Sequence, residues 1–414
     1  MADRRPLMPL DAVLERLVAG ARAHAITATE TVSTFDALGR VLAVPVSSAL
    51  DVPPADNTSM DGYALHAADV ASPGAVLAVA QRIPAGSVGQ PLARGSAARI
   101  FTGAQIPAGA DAVVMQEDCE ALAGEGLGAV RVNAVPRAGQ WIRRRGEDIR
   151  CDAEVLAQGS RLSAAALGLA ASVGAATLTV VHRPRVALMS TGDELVMPGQ
   201  PLPPGAIYNS NRYLLRGLLQ AAGCEITDFG IVPDRREATI AALREAAIGH
   251  DLILTSGGVS TGEEDHIRPA VQAQGWIENW QVAIKPGKPL AFGGVRCDDG
   301  SVALFMGLPG NPVSCFVNFL VTVSPVLRAM QGAAALQPRG LRARADFDWP
   351  RADRRREFLR ARFNDAGGLE LYANQSSGVL SSAVWGDGLI DNPAGQTIAR
   401  GDMVRFLPFL ELLG

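Results

Sequence analysis

Lysine is almost absent from this chain of 414 residues. Lys285 and Lys288 are the only lysines among its 38 basic residues, and all the others are arginines. A bias in genome composition would explain the excess of arginine, but it does not explain why the two exceptions lie three residues apart. A lysine ammonium is a compact point charge, whereas the arginine guanidinium is a broad planar fork. We therefore treat the lysine pair as a candidate functional feature.

Other absences exclude several classes of protein. The net charge is −4, and no basic excess of the kind that nucleic-acid binders carry is present. No run of about 18 apolar residues indicates a membrane span, and the most apolar stretch, from Cys315 to Met330, predicts a buried helix. The N-terminus lacks the apolar segment of a signal peptide. The five dispersed cysteines show no zinc-binding spacing and fit a reducing, cytoplasmic location.

The first part of the chain predicts a linker and a small β domain. Apolar residues recur at helical spacing over residues 10–25, and a second helix is predicted over Thr34 to Leu42. Residues 160–174 predict a further helix that ends at a glycine cap. Between these helices, short apolar runs separated by proline and glycine indicate β-structure. We assign a helical and extended linker domain to residues 1–49 and 141–182, and an inserted small β-rich domain to residues 50–140.

The second half predicts two further domains. Strands and helices alternate from residue 184, which predicts an open parallel sheet with helices on both faces over residues 183–332. Short alternating runs after Pro338 predict a small β-barrel over residues 338–414. The basic run Arg351 to Arg356 inside it is interpreted as a solvated turn. The predicted fold class is therefore multidomain, α/β plus β.

Three loops at the carboxyl ends of the predicted strands combine glycines, hydroxyl groups and carboxylates. They are Thr191–Glu194, Ser256–Ser260 and Gly307–Pro312. Ligands of open α/β sheets bind at this edge, where glycines and helix N-termini let backbone N–H groups approach phosphate. Any one loop could equally be a tight turn that needs positive φ. Because all three are predicted at one edge, we favour a phosphate-binding site.

The lysines and acids predict opposite charges at the same edge. Lys285 and Lys288 lie on a Pro-Gly turn and suit phosphate or another oxyanion. Carboxylates beside glycine turns, together with phosphate oxygens, form the usual environment of Mg²⁺. An anionic substrate with a bridging Mg²⁺ would reconcile both sets of charges in one site.

Seven motifs, in this order, resemble those of the molybdopterin molybdenumtransferase family, to which the C-terminal domain of gephyrin is similar. They are Asp56–Ala64, Phe101–Ala104, Arg145–Ile149, Ser190–Leu195, Ser256–Ser260, Lys285–Pro289 and Gly307–Ser314. The resemblance covers nearly the whole chain. It implies insertion of molybdenum into adenylylated molybdopterin, with Mg²⁺-dependent hydrolysis of the pyrophosphate bond and release of AMP.

The resemblance also implies an elongated homodimer, joined through the linker domain, whose active site is shared between subunits. One subunit would supply Asp61, Thr102 and Asp148, and the other would supply Glu194, Asp234 and Asp265; these six are the catalytic candidates. Asp265 and Glu194 are the candidate metal ligands. The substrate-binding candidates, for molybdopterin-AMP and molybdate, are Ser256, Gly257, Gly258, Ser260, Lys285, Lys288, Pro309, Gly310, Asn311, Pro312, Ser314, Ser376 and Ser377.

Two alternative functions remain open at this point. A molybdopterin adenylyltransferase would share the sheet domain, but the two β domains argue against it. A gephyrin-like scaffold would not need the set of acids and lysines. Further expected partners are the adenylyltransferase and acceptor molybdoenzymes, with neither nucleic acid nor membrane among them.

Overall fold

The computed structural model describes residues 7–258 and 266–413. Its central element is a six-stranded sheet with the strand order Glu225–Val232, Arg185–Thr191, Leu252–Ser256, Val302–Leu308, Pro289–Arg296 and Gly275–Gln281. The first four strands are parallel to one another, and each of the last two is antiparallel to the strand before it in this order. The prediction of an all-parallel sheet is therefore wrong at one edge.

Connection length explains the antiparallel edge. Gly275–Gln281 and Pro289–Arg296 are joined by a short segment that contains both lysines, and Pro289–Arg296 leads into Val302–Leu308 through a turn at Gly300. A parallel pair needs a crossover of about a dozen residues or more, usually a helix, whereas an antiparallel pair can be joined by a tight turn. Such short connections leave only the antiparallel arrangement.

Helices cover both faces of this sheet, as predicted. Along Arg185–Thr191, Val186 and Leu188 belong to one apolar core, while Ala187 and Met189 belong to the core on the opposite face. This alternation follows from the two-residue period of a strand. The helices on the first face are Ser210–Ala221 and Pro312–Met330, and those on the second are Arg236–Ala247 and Ile267–Gln274.

The first helix, Leu10–Ala23, packs on the α/β core. Its buried residues Val13 and Leu17 share the apolar cluster that contains Phe292 of the sheet. Just before this helix, Met8 forms a β-bridge with Val282. The proposed domain boundaries remain predictions, but this contact ties the start of the chain to the α/β region.

The apolar segment predicted as a buried helix is the long helix Pro312–Met330. It consists of Pro312–Asn318 and Ser324–Met330 in α-conformation, joined by the π-helical turn Phe319–Val323. It is the one helix in the described residues with the length and hydropathy to cross a membrane, and 94% of it is buried inside this chain. It therefore acts as a core helix of the α/β region.

The linker region is mostly extended. Three strand pairs run through it: Thr29–Ser33 with Thr177–Val181, Val46–Ser47 with Glu154–Leu156, and Asn57–Thr58 with Ile142–Arg143. Its one α-helix among the described residues beyond Ala23 is Ala164–Ser172. The helix predicted over Thr34 to Leu42 is wrong, because only the 3₁₀ turn Thr34–Asp36 forms. Gly39 then takes a positive φ of 74°, and Val41 enters a β-bridge with Arg161.

The two remaining sheets are small. The inserted β region contains a six-stranded sheet in the order Ala112–Met115, Gly62–Leu65, Ser96–Ile100, Ala75–Ile83, Ala129–Val132 and Cys119–Leu122. The C-terminal sheet contains Leu341–Arg344, Arg356–Phe363, Leu369–Leu371, Gly388–Asn392 and Met403–Pro408, with the helices Ser381–Trp385 and Phe409–Leu413. Its edge strand, Ile284–Lys285, comes from the α/β region. Closure of this sheet into a barrel stays a prediction. A further two-stranded pair is formed by Leu195–Val196 and Ile207–Tyr208.

Candidate active site

Two adjoining cavities lie at the carboxyl edge of the parallel strands. The register aligns Ser190, Ser256 and Leu308 across three neighbouring strands, so the loops that follow them converge. The first cavity has a volume of about 570 Å³ and the second about 510 Å³. Gly257, Gly310 and Asn311 line both. Together the cavities form one cleft, which we call the sheet-edge cleft.

Most of the substrate-binding residues predicted from the sequence line this cleft. The first cavity is lined by Gly257, Gly258, Lys285, Lys288, Pro309, Gly310, Asn311, Ser314, Ser376 and Ser377. The second adds Glu194, Ser256 and Pro312. Ser260 lies outside the described residues. The structure thus brings together segments that are far apart in the chain, including the Gln375–Ser377 loop of the C-terminal sheet.

The turn that carries the lysines is held by a buried amide. Asn318, in the long helix, is fully buried, and its Nδ2 donates to Gly287 O at 3.0 Å and to Ser314 O at 2.9 Å. Gly287 has a φ of 99°, and a Cβ at this position would collide with Asn318 Nδ2. Only glycine therefore fits both the backbone conformation and the space.

The two lysines have different surroundings. Lys285 Nζ lies 2.9 Å from Glu357 Oε1 and 3.3 Å from Asp353 Oδ2, both in the C-terminal region. Glu357 has a side chain only 1% exposed, and its Oε2 accepts a hydrogen bond from Trp349 Nε1 at 2.9 Å. Lys288 makes no ion pair with any described residue and lines the first cavity. Within the described part of the chain, Lys288 therefore has no compensating negative charge, while the charge of Lys285 is largely neutralised.

The basic run 351–356 is only partly a solvated turn: Arg351 and Arg354 are exposed, whereas Arg355 and Arg356 are half-buried. Arg355 lines the cleft, and its guanidinium makes two hydrogen bonds to Asp353, at 2.9 and 2.8 Å. This contact holds the pKa of Asp353 well below its usual range, and Lys285 adds to the effect. Arg356 pairs with Asp391 and with Asp11 of the first helix, and these carboxylates raise the pKa of its guanidinium. The sequence interpretation therefore holds for Arg351 and Arg354 and is wrong for Arg355 and Arg356, which form ion pairs.

A residue that sequence reasoning missed supports the Gln375–Ser377 loop. Arg360 is 1% exposed and donates to Ser382 Oγ at 3.1 Å and to Phe358 O at 3.0 Å. Its burial lowers the pKa of the guanidinium to about 10. The Gln375 side chain exchanges two 2.9 Å hydrogen bonds with the backbone of Arg360. The alternation of charged and apolar residues along Arg356–Phe363 was the available signal, but it does not show that an arginine faces inward.

The acids predicted around the cleft are only partly assembled. Glu194 lines the second cavity. Asp234 follows the neighbouring strand, and its backbone N–H donates to Asp193 Oδ1 at 3.3 Å. Asp265, the other candidate metal ligand, lies outside the described residues. Within residues 7–258 and 266–413, no three His, Cys, Asp or Glu side chains cluster so as to hold a metal ion.

Of the remaining catalytic candidates, Asp61 and Thr102 lie in the small β region and Asp148 lies in the linker region. Asp61 Oδ1 accepts hydrogen bonds from the backbone N–H and the hydroxyl of Thr102, both at 2.7 Å. These bonds, supported by the charge of Arg99, lower the pKa of Asp61. Asp148 is exposed, and its N–H donates to Val52 O at 3.0 Å. None of these three residues is among the described residues that line the cleft of the same chain.

Comparison with known proteins connects this geometry to a family. Three family models match in succession: "MoeA N-terminal region (domain I and II)" over residues 8–174, "Probable molybdopterin binding domain" over 187–329, and "MoeA C-terminal region (domain IV)" over 342–409. The molybdopterin molybdenumtransferase of Haemophilus influenzae is 37% identical over 94% of this chain and 96% of its own length. The chain belongs to the molybdopterin molybdenumtransferase family.

Other molybdopterin molybdenumtransferases and a solved structure agree with this membership. The Nostoc sp. protein of that name is 35% identical over 92% of this chain and 88% of its own. The molybdopterin biosynthesis MoeA protein from Pyrococcus horikoshii OT3 aligns with a TM-score of 0.80 at 27% identity, covering 97% of this chain and all of that one. The family resemblance of the seven motifs is confirmed, and the protein is an enzyme of molybdenum cofactor biosynthesis.

Proposed function

We propose that the protein inserts molybdenum into adenylylated molybdopterin, hydrolyses the pyrophosphate bond with Mg²⁺ and releases AMP. The observation that carries this proposal is the sheet-edge cleft, in which Lys288, without an ion pair to any described residue, lies beside two glycine-rich loops. Hydrolysis adds water across the phosphoanhydride, so that AMP leaves and the second phosphate stays on the pterin. Cleavage between two phosphates needs charge neutralisation and a well-placed water more than it needs covalent chemistry from the protein.

The roles of the cleft residues follow from their chemistry. Lys288 holds an oxyanion, either a substrate phosphate or molybdate, and the N-terminus of the helix beginning at Pro312 adds a favourable dipole. Glu194 and Asp265 would hold Mg²⁺ together with phosphate oxygens, the donor set that Mg²⁺ prefers. The ion, when bound, supplies positive charge to the pyrophosphate. Asp61 or Glu194 orients the attacking water.

The active site is proposed to lie between two copies of the chain. Asp61 and Thr102 are hydrogen-bonded to each other but do not line the cleft of their own chain. The linker region offers an apolar surface for a second copy: Phe35 is 91% exposed and Leu38 is 59% exposed. The nearby helix Ala164–Ser172 contains no charged residue, although most of it is exposed. A homodimer would bury these residues, and the proposed location is the cytoplasm.

The experiment measures molybdate-dependent AMP release by the purified full-length protein. We expect release by the wild type, and a fall of about 100-fold or more in Asp61→Ala and in Lys288→Ala alone. When the two variants are unfolded together and refolded, the mixed dimer has one intact site, and about a quarter of the activity should return. No return of activity would contradict the shared site, and no AMP release by the wild type would contradict the reaction.

Two alternatives are tested by the same assay. An adenylyltransferase would consume ATP and form the nucleotide link instead of hydrolysing it, and the match over both β regions argues against it. A scaffold without catalysis would release no AMP under any condition. The adenylyltransferase and acceptor molybdoenzymes are proposed as the proteins that deliver the substrate and receive the product.

A further inference from the structure

Two arginines of the small β region are directly opposite each other on one face of its sheet. Arg82 and Arg99 are register partners in the parallel strands Ala75–Ile83 and Ser96–Ile100, so their side chains point the same way. Both guanidinium carbons lie 4.6 Å from the centre of the Phe101 ring, and that of Arg99 is also 5.2 Å from the Tyr63 ring. The aromatic rings thus hold two like charges together.

Neither guanidinium has an acidic partner among the described residues. Arg99 donates to Gly62 O at 3.0 Å and to Gln116 Oε1 at 2.6 Å, which are both neutral acceptors. Arg82 contacts the Phe101 ring and forms no ion pair in the described part of the chain.

Other arginines of the same region behave differently. Arg94 pairs with Asp69 and Arg131 with Glu120, and in the adjoining linker region Arg144 pairs with Asp56 and Arg145 with Asp51. In a chain with more acids than bases, acidic partners are plentiful. Two adjacent cations that remain unpaired at such a position form an anion-binding surface, because an anion relieves their mutual repulsion.

The pair is located beside a catalytic candidate. Phe101 precedes Thr102 in the chain, and the charge of Arg99 contributes to the lowered pKa of Asp61. We propose that Arg82 and Arg99, held by Phe101, bind a phosphate group of the substrate and bring it next to Asp61 and Thr102. This inference rests on the proposed function for the identity of the substrate. It adds a second cationic contact, on the small β region, to the one that Lys288 makes in the cleft.

The test uses inorganic pyrophosphate as the probe of the full-length protein, measured by calorimetry at low ionic strength. Arg82→Gln and Arg99→Gln should each weaken binding about tenfold, the loss expected for one charge-assisted contact. Arg131→Gln removes an exposed arginine of the same sheet that already has an acidic partner, and it should bind like the wild type. In the AMP-release assay the two variants should raise KM more than they lower kcat.

The outcomes separate this inference from the proposed function. Wild-type affinity in both Arg82→Gln and Arg99→Gln, or no pyrophosphate binding by the wild type, would overturn the inference. Arg99 also donates hydrogen bonds to Gly62 and Gln116, so Arg82→Gln, which removes no hydrogen bond to a described residue, decides the matter if Arg99→Gln unfolds. If binding depends on both arginines but the wild type releases no AMP, the inference stands and the proposed reaction fails.

Discussion

The sheet-edge cleft and the surface around Asp61 differ in how completely one chain builds them. The cleft is lined by segments of both the α/β and the C-terminal regions, and its turn is fixed by buried groups such as Asn318 and Glu357. The Asp61 carboxylate accepts hydrogen bonds from Thr102, and Asp61 is half-buried while Thr102 is exposed. We propose that the first region is preorganised to bind an anion, whereas the second needs an opposing surface before it can act. On this proposal, the catalytic candidates of one chain belong to two surfaces that do not meet.

The largest expected effect concerns the charge in the cleft. Lys288→Ala removes the uncompensated cation, and we expect AMP release to fall about 100-fold, with weaker molybdate binding. Asp61→Ala should also stop AMP release, but molybdate affinity measured by calorimetry should stay at the wild-type value. Arg296→Ala, an exposed residue at the far end of a sheet strand, is the control. Equal loss of molybdate affinity in Lys288→Ala and Asp61→Ala would remove the distinction between the two regions.

A stability measurement sharpens the claim that the cleft is preorganised. Gly287→Ala combines a positive φ with a collision against the amide of Asn318, so we expect a cost of about 3 kcal/mol in the free energy of unfolding. Gly300→Ala is the matched control, since Gly300 has a φ of 86° but open space where the Cβ would lie. Its expected cost is about 1 kcal/mol. Similar urea-unfolding curves for the two variants would show that Asn318 does not constrain the turn.

The smallest effect belongs to the exposed surface. Thr102→Val removes one of the two hydrogen bonds that lower the pKa of Asp61, so this pKa should rise toward its ordinary value of 3.8. Because the folded-state pKa is lowered, the hydrogen bonds favour the folded state above pH 3.8, and this contribution is lost as pH falls through the lower folded value. Side-chain carbon NMR of Asp61 measures the shift. An unchanged pKa would mean that Arg99 and the backbone N–H account for the effect.

Much of the fold could be predicted from hydrophobic periodicity, but the exposure of individual side chains could not. The alternation of strands and helices from residue 184 was predicted, since apolar runs at periods of 2 and 3.6 are local signals. The helix over Thr34 to Leu42 failed because a glycine and a β-bridge, both set by distant pairing, replaced it. The antiparallel edge was missed because the alternation of elements does not reveal strand direction. The run 351–356 was interpreted as a solvated turn because charge composition does not show which arginines form ion pairs in the folded chain.

The two lysines show which properties the sequence determines and which ones the tertiary structure determines. The sequence by itself determined that this chain uses lysine at one place only, on a Pro-Gly turn, and that glycine-rich loops follow the neighbouring strands. The tertiary structure decided that the lysines are not equivalent. Glu357 lies 72 residues from Lys285 in the chain but is its register partner in a parallel strand pair, so it neutralises one ammonium and leaves that of Lys288 for a ligand. Residue type fixes the charge that is available, whereas long-range pairing fixes which charges already have a partner.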